Sequence, residues 1–400
     1  MTRSKTILPA AVAAGAQATT LGVMGGGQLG RMFVHAAQRL GYFTAVLDPD
    51  VASPAGLVSH VHVQTDYLDE QGLAQMLQRC AAITTEFENV PAGALYTLGA
   101  HLPAAPDAEA VSICQDRAKE KRHFVDCGVP CAPHALIETE AGLAAVPDTL
   151  LPGILKTARL GYDGKGQVRV GTRAELVAAW DTLRRAPCVL EQQLALDFEL
   201  SVVLARNAFG DVVTLPLQRN LHREGVLAVT EVPAPGVSAA LAGQAFDAAR
   251  RIAEGMHYVG VLCVEFFVVK DAGGNVSLVA NEMAPRPHNS GHHSIDSCDV
   301  SQFELQVRCM TGLPLAAPRQ HSAAVMLNLL GELWIDAEGR ERTPDWAAVL
   351  AIPGAHLHLY GKAGARAGRK MGHLTLTAAT LEEAREAARR AAAVLGLPPP

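Results

Sequence analysis

Apolar residues near the start of the chain are arranged as a strand, a glycine turn and a helix. Residues 20–24 form a continuous apolar run, three glycines follow at 25–27, and apolar side chains then recur at helical spacing until Gly41. The alternation continues with two further apolar runs and a helix between them, at residues 43–47, 81–85 and 73–79. Alternating strands and helices predict a parallel sheet with ligands at the carboxyl ends of its strands.

The pattern changes beyond residue 116, which indicates further domains. Residues 117–190 follow the order helix, strand, glycine-rich loop, strand and helix, as expected of a small lobe. Strand-like runs at 200–205, 261–269 and 276–280 around a helix near 240–256 predict an antiparallel core. We therefore expect an α/β and α+β multidomain chain divided at 1–18, 19–116, 117–190, 191–324 and 325–400, the last part with strands at 323–330 and 356–360 and a helix opened by the capping box Thr380 to Glu383.

Composition narrows the class of protein. A chain of 400 residues with 49% apolar content can bury two or three cores. Its net charge of −6 disfavours binding to DNA or RNA, which needs a basic surface. The eight cysteines form no C-x-x-C pair, so we expect reduced thiols in a cytoplasmic protein.

Two segments bear on membranes and secretion. Residues 1–18 place Arg3 and Lys5 before a small apolar stretch that resembles a secretory signal, but the stretch is rich in alanine and glycine rather than leucine. We expect a disordered extension there. No later run of about 18 uninterrupted apolar residues predicts a membrane span.

The first candidate for chemistry is the turn Gly25-x-Gly27-x-x-Gly30 between strand and helix, with Asp48 beyond it. Such a turn lets an anionic ligand approach a helix N-terminus and also fits the dinucleotide fingerprint. A tight turn that only packs helix on strand has the same sequence. The motif therefore indicates a phosphate or nucleotide without identifying it.

The second candidate is the loop at residues 161–167, which contains three glycines and Lys165. Its backbone N–H groups and the ammonium could close over phosphates, although the loop lacks the G-K-[ST] ending of a P-loop. Lys156 on the preceding strand supplies a second cation. A solvent-exposed hairpin turn is the alternative.

Two glutamates lie inside apolar strand runs, at Glu265 and Glu282. Strand alternation places Glu265 on the face opposite Val264 and Phe266, where an unpaired carboxylate is costly. With Asn281 they form an all-oxygen set suited to Mg²⁺ and substrate phosphates, with Mn²⁺ as an alternative. Pairing with an arginine such as Arg286 would also satisfy them.

A polar cluster of arginine and histidines follows Glu282, from Arg286 to His293. No cysteine or second histidine-rich segment completes a tetrahedral zinc set, and Arg286 would repel a metal. An anion site for a transferring phosphoryl or carboxylate group fits these residues better.

Five motifs in order resemble those of the 5-(carboxyamino)imidazole ribonucleotide synthase family, ATP-grasp enzymes of purine synthesis. The resemblance covers residues 20–375, and its motifs lie at 25–32, 161–167, 220–222, 281–292 and 368–374. The resemblance implies an ATP-grasp fold in two lobes (117–190 and 191–324), an N-terminal Rossmann-like (pre-ATP-grasp) domain and a small C-terminal domain. It also implies a homodimer that converts 5-aminoimidazole ribonucleotide, bicarbonate and ATP into the N-carboxylated product, ADP and phosphate through carboxyphosphate.

The resemblance also implies roles for individual residues. Those implied for ATP are Arg117, Lys156, Gly161, Tyr162, Asp163, Gly164, Lys165, Gly166, Gln167, Glu191, Gln192, Gln193, Leu194, Glu199, His222, Asn281 and Glu282. Those implied for magnesium are Glu265, Glu282 and Asn281. Those implied for the ribonucleotide or the reacting groups are Gln28, Leu29, Glu86, Tyr162, Asp163, Arg286, His288, Lys362, Arg369 and Lys370, with Lys156, Asp163, Arg286 and His288 implied to be catalytic.

Other functions remain compatible with parts of the sequence. A nicotinamide-dependent oxidoreductase would use the first glycine motif and Asp48, but it leaves Glu265, Glu282 and the 161–167 loop without a role. Another ATP-grasp ligase, such as a formate-dependent glycinamide ribonucleotide transformylase or a biotin carboxylase-like subunit, would share the ATP geometry. A nucleotide-binding regulator would release no ADP.

Overall fold

The computed structural model describes residues 6–9, 18–161, 166–270, 273–336 and 338–400. Tyr162, Asp163, Gly164 and Lys165, which the sequence implicates in binding, lie outside the described residues. Within these ranges no helix is long and apolar enough to cross a bilayer. All eight cysteines are unpaired.

The N-terminal domain is a parallel four-stranded sheet with helices, as predicted. Its elements are β1 (Thr20–Met24), α1 (Gln28–Arg39), β2 (Phe43–Leu47), β3 (Val61–Val63), α2 (Glu70–Arg79), β4 (Ala82–Thr85), α3 (Ala92–Gly99) and α4 (Ala108–Cys114), with a 3₁₀ turn at Gly56–Val58. The strand order is β3-β2-β1-β4, and every pairing is parallel. Asp48 and Glu86 therefore follow the carboxyl ends of strands β2 and β4 and flank the glycine turn after β1.

The next part of the chain contains the small lobe. Its elements are α5 (Arg117–Asp126), β5 (His134–Ile137), α6 (Glu140–Ala144), β6 (Gly153–Thr157), β7 (Gln167–Val170), α7 (Arg173–Thr182) and β8 (Cys188–Gln192), with a 3₁₀ turn at Asp148–Leu150. The strands form an antiparallel sheet in the order β5-β8-β6-β7. Helix α5 stands apart from this sheet, because Phe124 and the following Val129 pack in the same apolar core as Leu200 and Ile252.

The catalytic lobe and the C-terminal domain share one sheet. Their elements are β9 (Leu196–Arg206), β10 (Val212–Thr214), β11 (Gln218–Arg223), β12 (Val226–Val232), α8 (Ala239–Gly255), β13 (Gly260–Lys270), β14 (Val276–Ala284), α9 (Ser294–Ser297), α10 (Gln302–Thr311), β15 (Ala323–Leu330), α11 (Trp346–Leu350), β16 (Ala355–Leu359), β17 (Lys370–Ala378) and α12 (Leu381–Leu395), with 3₁₀ turns at Asn289–Gly291 and Gly331–Trp334. The strand order is β14-β13-β9-β11-β12-β15-β17-β16, with β10 on β9.

This continuity affects the expected domain limits. The limit proposed at residue 324 falls inside strand β15, which pairs with β12 on one side and with β17 on the other. The limit at residue 190 falls inside β8. The backbone ladder thus runs without a break from the catalytic lobe into the C-terminal domain.

Strand alternation sets the two faces of β13, as the sequence predicted. Leu262, Val264, Phe266 and Val268 are buried in one core with helix α8, and each such side chain contributes about 1.5–3 kcal/mol by leaving water. Glu265 consequently lies on the opposite face. Helix α12 covers the far end of the sheet with its alanine-rich face, and the predicted Thr380/Glu383 capping box is confirmed.

The start of the chain is partly ordered. The Ile7 N–H donates to Thr311 O at 2.8 Å, and the Tyr42 hydroxyl donates to Ile7 O at 2.7 Å. The expectation of a disordered extension is therefore wrong for residues 6–9, because Ile7 packs on the N-terminal core. Residues 1–5 and 10–17 lie outside the described ranges.

Candidate active site

Two carboxylates occupy paired positions on neighbouring strands. Glu265 of β13 is the antiparallel partner of Glu282 of β14, immediately beside a register shift. Glu265 is 7% exposed and accepts from the Ser201 hydroxyl at 3.4 Å. Burial and the nearby charge of Glu282 raise the pKa of Glu265 to about 7. This position therefore favours a bound cation, which would compensate both carboxylates.

The register shift places Asn281 next to this pair. Such a bulge inserts one extra residue and re-aims side chains. Asn281 Oδ1 is buried without a hydrogen-bond partner among the described residues. An unsatisfied buried amide oxygen is costly, so this atom favours a ligand that accepts its lone pair.

The donor set fits Mg²⁺. Two carboxylates and an amide oxygen are hard oxygen ligands, and Mg²⁺ usually takes one or two carboxylates with substrate phosphates and water. The side chain of Glu282 is 42% exposed, so this carboxylate is accessible to a ligand from solvent. Within the described ranges, no group of three or more His, Cys, Asp or Glu side chains could hold a metal ion.

Helix α5 holds the strand that carries these ligands. Each of three consecutive residues of β14 contacts one side chain of the helix. The pairs are Lys121 Nζ to Asn281 O (2.7 Å), Arg117 Nη1 to Glu282 Oε2 (3.2 Å) and Met283 N to Glu120 Oε1 (2.7 Å). The helical positions have the spacing i, i+3 and i+4, so they share one face. Although burial opposes its ionisation, Arg117 and Lys156 lower the pKa of Glu282.

Two lysines share a single buried glutamate at the small lobe. Lys121 Nζ lies 3.3 Å from Glu191 Oε1, and Lys156 Nζ lies 3.0 Å from Glu191 Oε2. Burial would raise the pKa of Glu191, but the two ammonium groups lower it below its ordinary value. The ammonium of Lys156, which the resemblance assigns to ATP phosphates, lies on this carboxylate.

The Lys156 strand leads into the glycine-rich loop. Gly166 has a positive φ of 71° and its carbonyl accepts from the Thr157 N–H at 2.8 Å, which closes the hairpin between β6 and β7. Gly161 and Gln167 are the first and last residues of this loop. Residues 191–194, which were expected to bind adenine, are the end of β8 and the two residues after it. Gln192 N donates to Pro133 O and Gln193 N donates to Pro152 O, both at 2.9 Å.

Arg286 pairs with a residue that the sequence did not single out. Its Nε donates to Glu88 Oε2 at 2.6 Å, and Nη1 donates to Pro287 O at 3.3 Å. Burial opposes the charge, yet Glu88 holds the pKa of Arg286 above its ordinary value. The alternative that an arginine satisfies these glutamates therefore holds for Glu282, which pairs with Arg117, but the arginine is not Arg286.

His288 sits at the edge of the carboxylate pair in a fixed setting. Its Nε2 is 3.9 Å from Glu265 Oε1 and its Nδ1 is 2.9 Å from the Ser290 hydroxyl. The Gln302 amide binds the backbone of His288 on both sides, accepting from its N–H at 2.8 Å and donating to its carbonyl at 2.7 Å. Burial, with Arg286 and Lys370 nearby, holds the pKa of His288 well below its ordinary value, so the ring is neutral at pH 7.

Glu199 and His222 form an ion pair on the same side of the sheet. Glu199 Oε2 lies 2.8 Å from His222 Nδ1. Burial lowers the pKa of His222, but Glu199 and Glu265 outweigh it and raise the pKa above its ordinary value. Strand β11 joins this pair to Glu265, because Asn220 of β11 donates to the Ser201 hydroxyl.

The protein's own carboxylates satisfy the first glycine motif. Gly26 N donates to Asp48 Oδ2 at 2.7 Å, and Gly27 N and Gly30 N donate to the two oxygens of Glu86 at 2.9 and 3.2 Å. These are the donors that a dinucleotide pyrophosphate would use. Because these N–H groups already bind carboxylates of the protein, the arrangement disfavours a nicotinamide-dependent oxidoreductase. Of the neighbouring residues expected to touch the ribonucleotide, Leu29 is buried and Gln28 is half-buried.

Lysines of the C-terminal domain reach this region. Lys362 Nζ donates to Lys370 O at 2.8 Å. Burial raises the pKa of Glu86 above its ordinary value, and the charge of Lys362 partly offsets that effect. The charge of Lys370 likewise acts on Glu265 and His288. The guanidinium of Arg369 instead donates to Gly364 O at 2.7 Å and braces its own loop.

Glu88, Glu120, Lys121 and Gln302 are parts of the site that the sequence reasoning missed. Glu88 follows β4 by a few residues, as Asp48 follows β2, so strand-end position was an available signal. Glu120 and Lys121 lie on a helix without an apolar face. Burial of Lys121 to 0% exposure could not be inferred from that pattern.

Comparisons with known proteins cover the whole architecture. Three family models match: the ribonucleotide synthetase preATP-grasp domain at residues 18–115, the ATP-grasp domain at 122–303 and the phosphoribosylaminoimidazole carboxylase C-terminal domain at 324–387.

Individual proteins agree with those matches. An N5-carboxyaminoimidazole ribonucleotide synthase from Brucella melitensis is 43% identical over 360 residues, which is 89% of this chain and 96% of that protein. A crystal structure of an N5-carboxyaminoimidazole ribonucleotide synthetase with ADP has a TM-score of 0.85, 34% identity and 98% coverage of both chains. An N5-carboxyaminoimidazole synthase from Aspergillus clavatus with ADP and 5-aminoimidazole ribonucleotide has a TM-score of 0.84 and 31% identity, and covers 94% of this chain and 98% of that one.

Proposed function

The chain belongs to the N5-carboxyaminoimidazole ribonucleotide synthase family of ATP-grasp enzymes, and we propose that it carboxylates 5-aminoimidazole ribonucleotide with bicarbonate and ATP. The products are N5-carboxyaminoimidazole ribonucleotide, ADP and phosphate. The observation that carries this proposal within the structure is the pairing of Glu265 with Glu282, which has Arg117, Lys121 and Lys156 nearby.

The reaction needs bicarbonate to become an electrophile. A bicarbonate oxygen attacks the γ-phosphorus of ATP, ADP leaves, and carboxyphosphate forms. The exocyclic amine then attacks its carbon, or the carbon dioxide released from it, and phosphate leaves. Closure of the site against water protects carboxyphosphate during this interval.

The residues divide between the two halves of the reaction. Glu265, Glu282 and Asn281 would hold Mg²⁺, which would supply charge neutralisation at the phosphates when bound. Lys156, Arg117 and the 161–167 loop would hold the phosphates, Glu191 to Leu194 the adenine, and Glu199 the ribose, with His222 close to the nucleotide. These assignments rest on motif order, and they are supported by the contacts that link Arg117 to Glu282 and Lys156 to Glu191.

Arg286 would stabilise the anion formed in the first half. Its guanidinium matches a carboxylate or a phosphate in a two-point contact, and Glu88 fixes its orientation. His288, whose ring is neutral and lies 3.9 Å from Glu265, would be a hydrogen-bond partner close to the reacting amine. Gln28, Leu29, Glu86, Tyr162 and Asp163 would contact the ribonucleotide, with Lys362, Arg369 and Lys370 at its phosphate.

The deciding experiment is ADP release with 5-aminoimidazole ribonucleotide and bicarbonate, omitting each in turn. Full release should need both substrates and a divalent metal, Mg²⁺ or Mn²⁺. Release that needs formate and glycinamide ribonucleotide instead would assign another ATP-grasp ligase. No release under any condition would overturn the enzyme assignment.

We also propose a homodimer that acts in the cytoplasm. Closed two-fold dimers are the commonest soluble oligomers, and ATP and a purine precursor are intracellular substrates. Light scattering coupled to gel filtration should give twice the chain mass, and a monomer mass at micromolar concentration would contradict the dimer.

A further inference from the structure

Two ammonium groups share one carboxylate beneath the proposed phosphate site. Lys121 and Lys156 contact different oxygens of Glu191, at 3.3 and 3.0 Å. The exposed fractions of the three residues are 0% for Lys121, 8% for Lys156 and 3% for Glu191. The cluster is thus shielded from water on nearly every side.

Glu191 has two cationic partners, although the wider cluster is balanced. Arg117 is paired with Glu282, and the buried carboxylate of Glu120 lies near both Lys121 and Arg117. A buried charge without a partner is costly. Because both ammonium groups contact Glu191, it can release one of them to an anion and still keep the other.

The two lysines differ in their freedom to meet that anion. Lys121 Nζ also donates to Asn281 O at 2.7 Å, and its helix is tied to β14 by Arg117 and Glu120. Lys156 lies on β6 just before the glycine-rich loop, and among the described residues its ammonium donates to the side chain of Glu191 alone. Lys156 can therefore turn away from Glu191, whereas Lys121 is held in place.

We propose that Lys121 is a positioning residue that retains the charge of Glu191, so that Lys156 can exchange Glu191 for a nucleotide phosphate. This inference rests on the proposed ATP-binding role of Lys156. No bond is made or broken: one N–H···O contact of Lys156 moves from a carboxylate oxygen to a phosphate oxygen. Without Lys121, Glu191 would hold Lys156 as its contacting counterion. Glu191 would then compete with the phosphates for the ammonium group of Lys156.

The test compares Mg·ADP with adenosine, which lacks phosphates, by calorimetry on the full chain. Lys121→Met should weaken Mg·ADP about tenfold, equivalent to roughly 1.4 kcal/mol, and should leave adenosine affinity unchanged. The Lys121→Met/Glu191→Gln double variant removes the competing carboxylate as well. Its ratio of Mg·ADP affinity to adenosine affinity should return to within about threefold of that of the unmodified chain, and the adenosine reference corrects for the proposed adenine contact of Glu191. Lys119→Met, an exposed charge on the same helix, is the matched control and should bind as the unmodified chain does.

Three results would overturn the inference: equal losses of ADP and adenosine, unchanged ADP affinity in Lys121→Met, or a double variant no better than Lys121→Met. Urea midpoints establish that each variant is folded. If Lys121→Met does not fold, Glu191→Gln alone decides through the ratio of its Mg·ADP affinity to its adenosine affinity, because Glu191 also lies in the proposed adenine-binding segment. That ratio should be at least as high as in the unmodified chain, and a tenfold fall would overturn the inference. These measurements need neither bicarbonate nor the ribonucleotide, so they stay interpretable if the proposed carboxylation fails.

Discussion

Glu265 and Glu282 lie directly opposite each other on adjacent antiparallel strands. Like charges at such a position repel, and a strand pair ordinarily avoids them. Glu282 pairs with Arg117 and lies near Lys121 and Lys156, whereas the charges near Glu265 include His222 and Lys370. The paired acids favour occupation of the site by a divalent cation. Had these acids been far apart, the magnesium hypothesis would have collapsed.

The first prediction concerns Glu282→Gln. The change keeps the shape of the side chain but removes the exposed charge of the proposed metal site, so ADP release should fall by about two orders of magnitude or more. Thermal melting should show an intact fold. Glu138→Gln, at an exposed position, is the control, and unmodified turnover in Glu282→Gln would falsify the metal assignment.

The second prediction separates the two basic residues at the start of β17. Lys370→Ala should raise the KM for the ribonucleotide about tenfold while leaving the KM for ATP nearly unchanged, since a charged contact contributes about 1.5–3 kcal/mol. Arg369→Ala should have the smaller effect, because its guanidinium already binds the carbonyl of Gly364. Equal losses for ATP and ribonucleotide in Lys370→Ala would contradict the assignment.

The third prediction concerns Gly27→Ala. A Cβ at this position would lie 2.5 Å from Glu86 Oε1, so Glu86 must leave the N–H groups of Gly27 and Gly30. We expect a loss of about 1–3 kcal/mol in unfolding free energy and weaker ribonucleotide binding. Gly93→Ala, at an exposed helical position whose added Cβ would meet nothing closer than 3.7 Å, should not lower stability. Unaltered ribonucleotide affinity in Gly27→Ala would remove Glu86 from the substrate site.

The fourth prediction is a pH dependence of stability from the Glu199–His222 pair. The folded-state pKa of His222 is raised, so the folded state holds the proton more tightly than the unfolded chain. The contribution is therefore complete below the unfolded pKa of about 6.5 and is lost as pH rises through the folded pKa. Glu199→Gln should lower the urea-unfolding free energy by roughly 0.5–1 kcal/mol at about pH 6 and by much less at about pH 9.

Exposed His101→Gln is the control for that experiment and should show no such difference. A Glu199→Gln penalty that stays constant across the pH range would mean that the pair does not act through the charge of His222.

Strand and helix positions were largely predictable, because their signal is local. The alternation of Leu262, Val264 and Phe266 with Glu265 fixed which face the carboxylate takes, and that prediction is confirmed. The contacts of Lys121 were not predictable. It meets a strand about 160 residues later in the chain, and nothing in a polar helix marks which lysine will be buried.

Domain limits show the same distinction between local and long-range signals. A change of pattern at residue 117 suggested that the small lobe starts there, yet helix α5 packs through Phe124 into the core of the catalytic lobe. Similarly, the limit at residue 324 was placed where strand β15 continues a sheet already begun. Tertiary packing determines where helix α5 and strand β15 belong, and the periodicity of the sequence contains no information about that packing.

One continuous sheet connects the proposed metal ligands with the C-terminal domain. Backbone hydrogen bonds connect β14, which carries proposed metal ligands, through every intervening strand to β17, which begins at Lys370. The backbone ladder between these two ends is continuous, so we expect the proposed metal ligands and Lys370 to keep a fixed relative position. A relative with a longer or shorter acceptor molecule would then be expected to differ in strand register or strand number as well as in its loops.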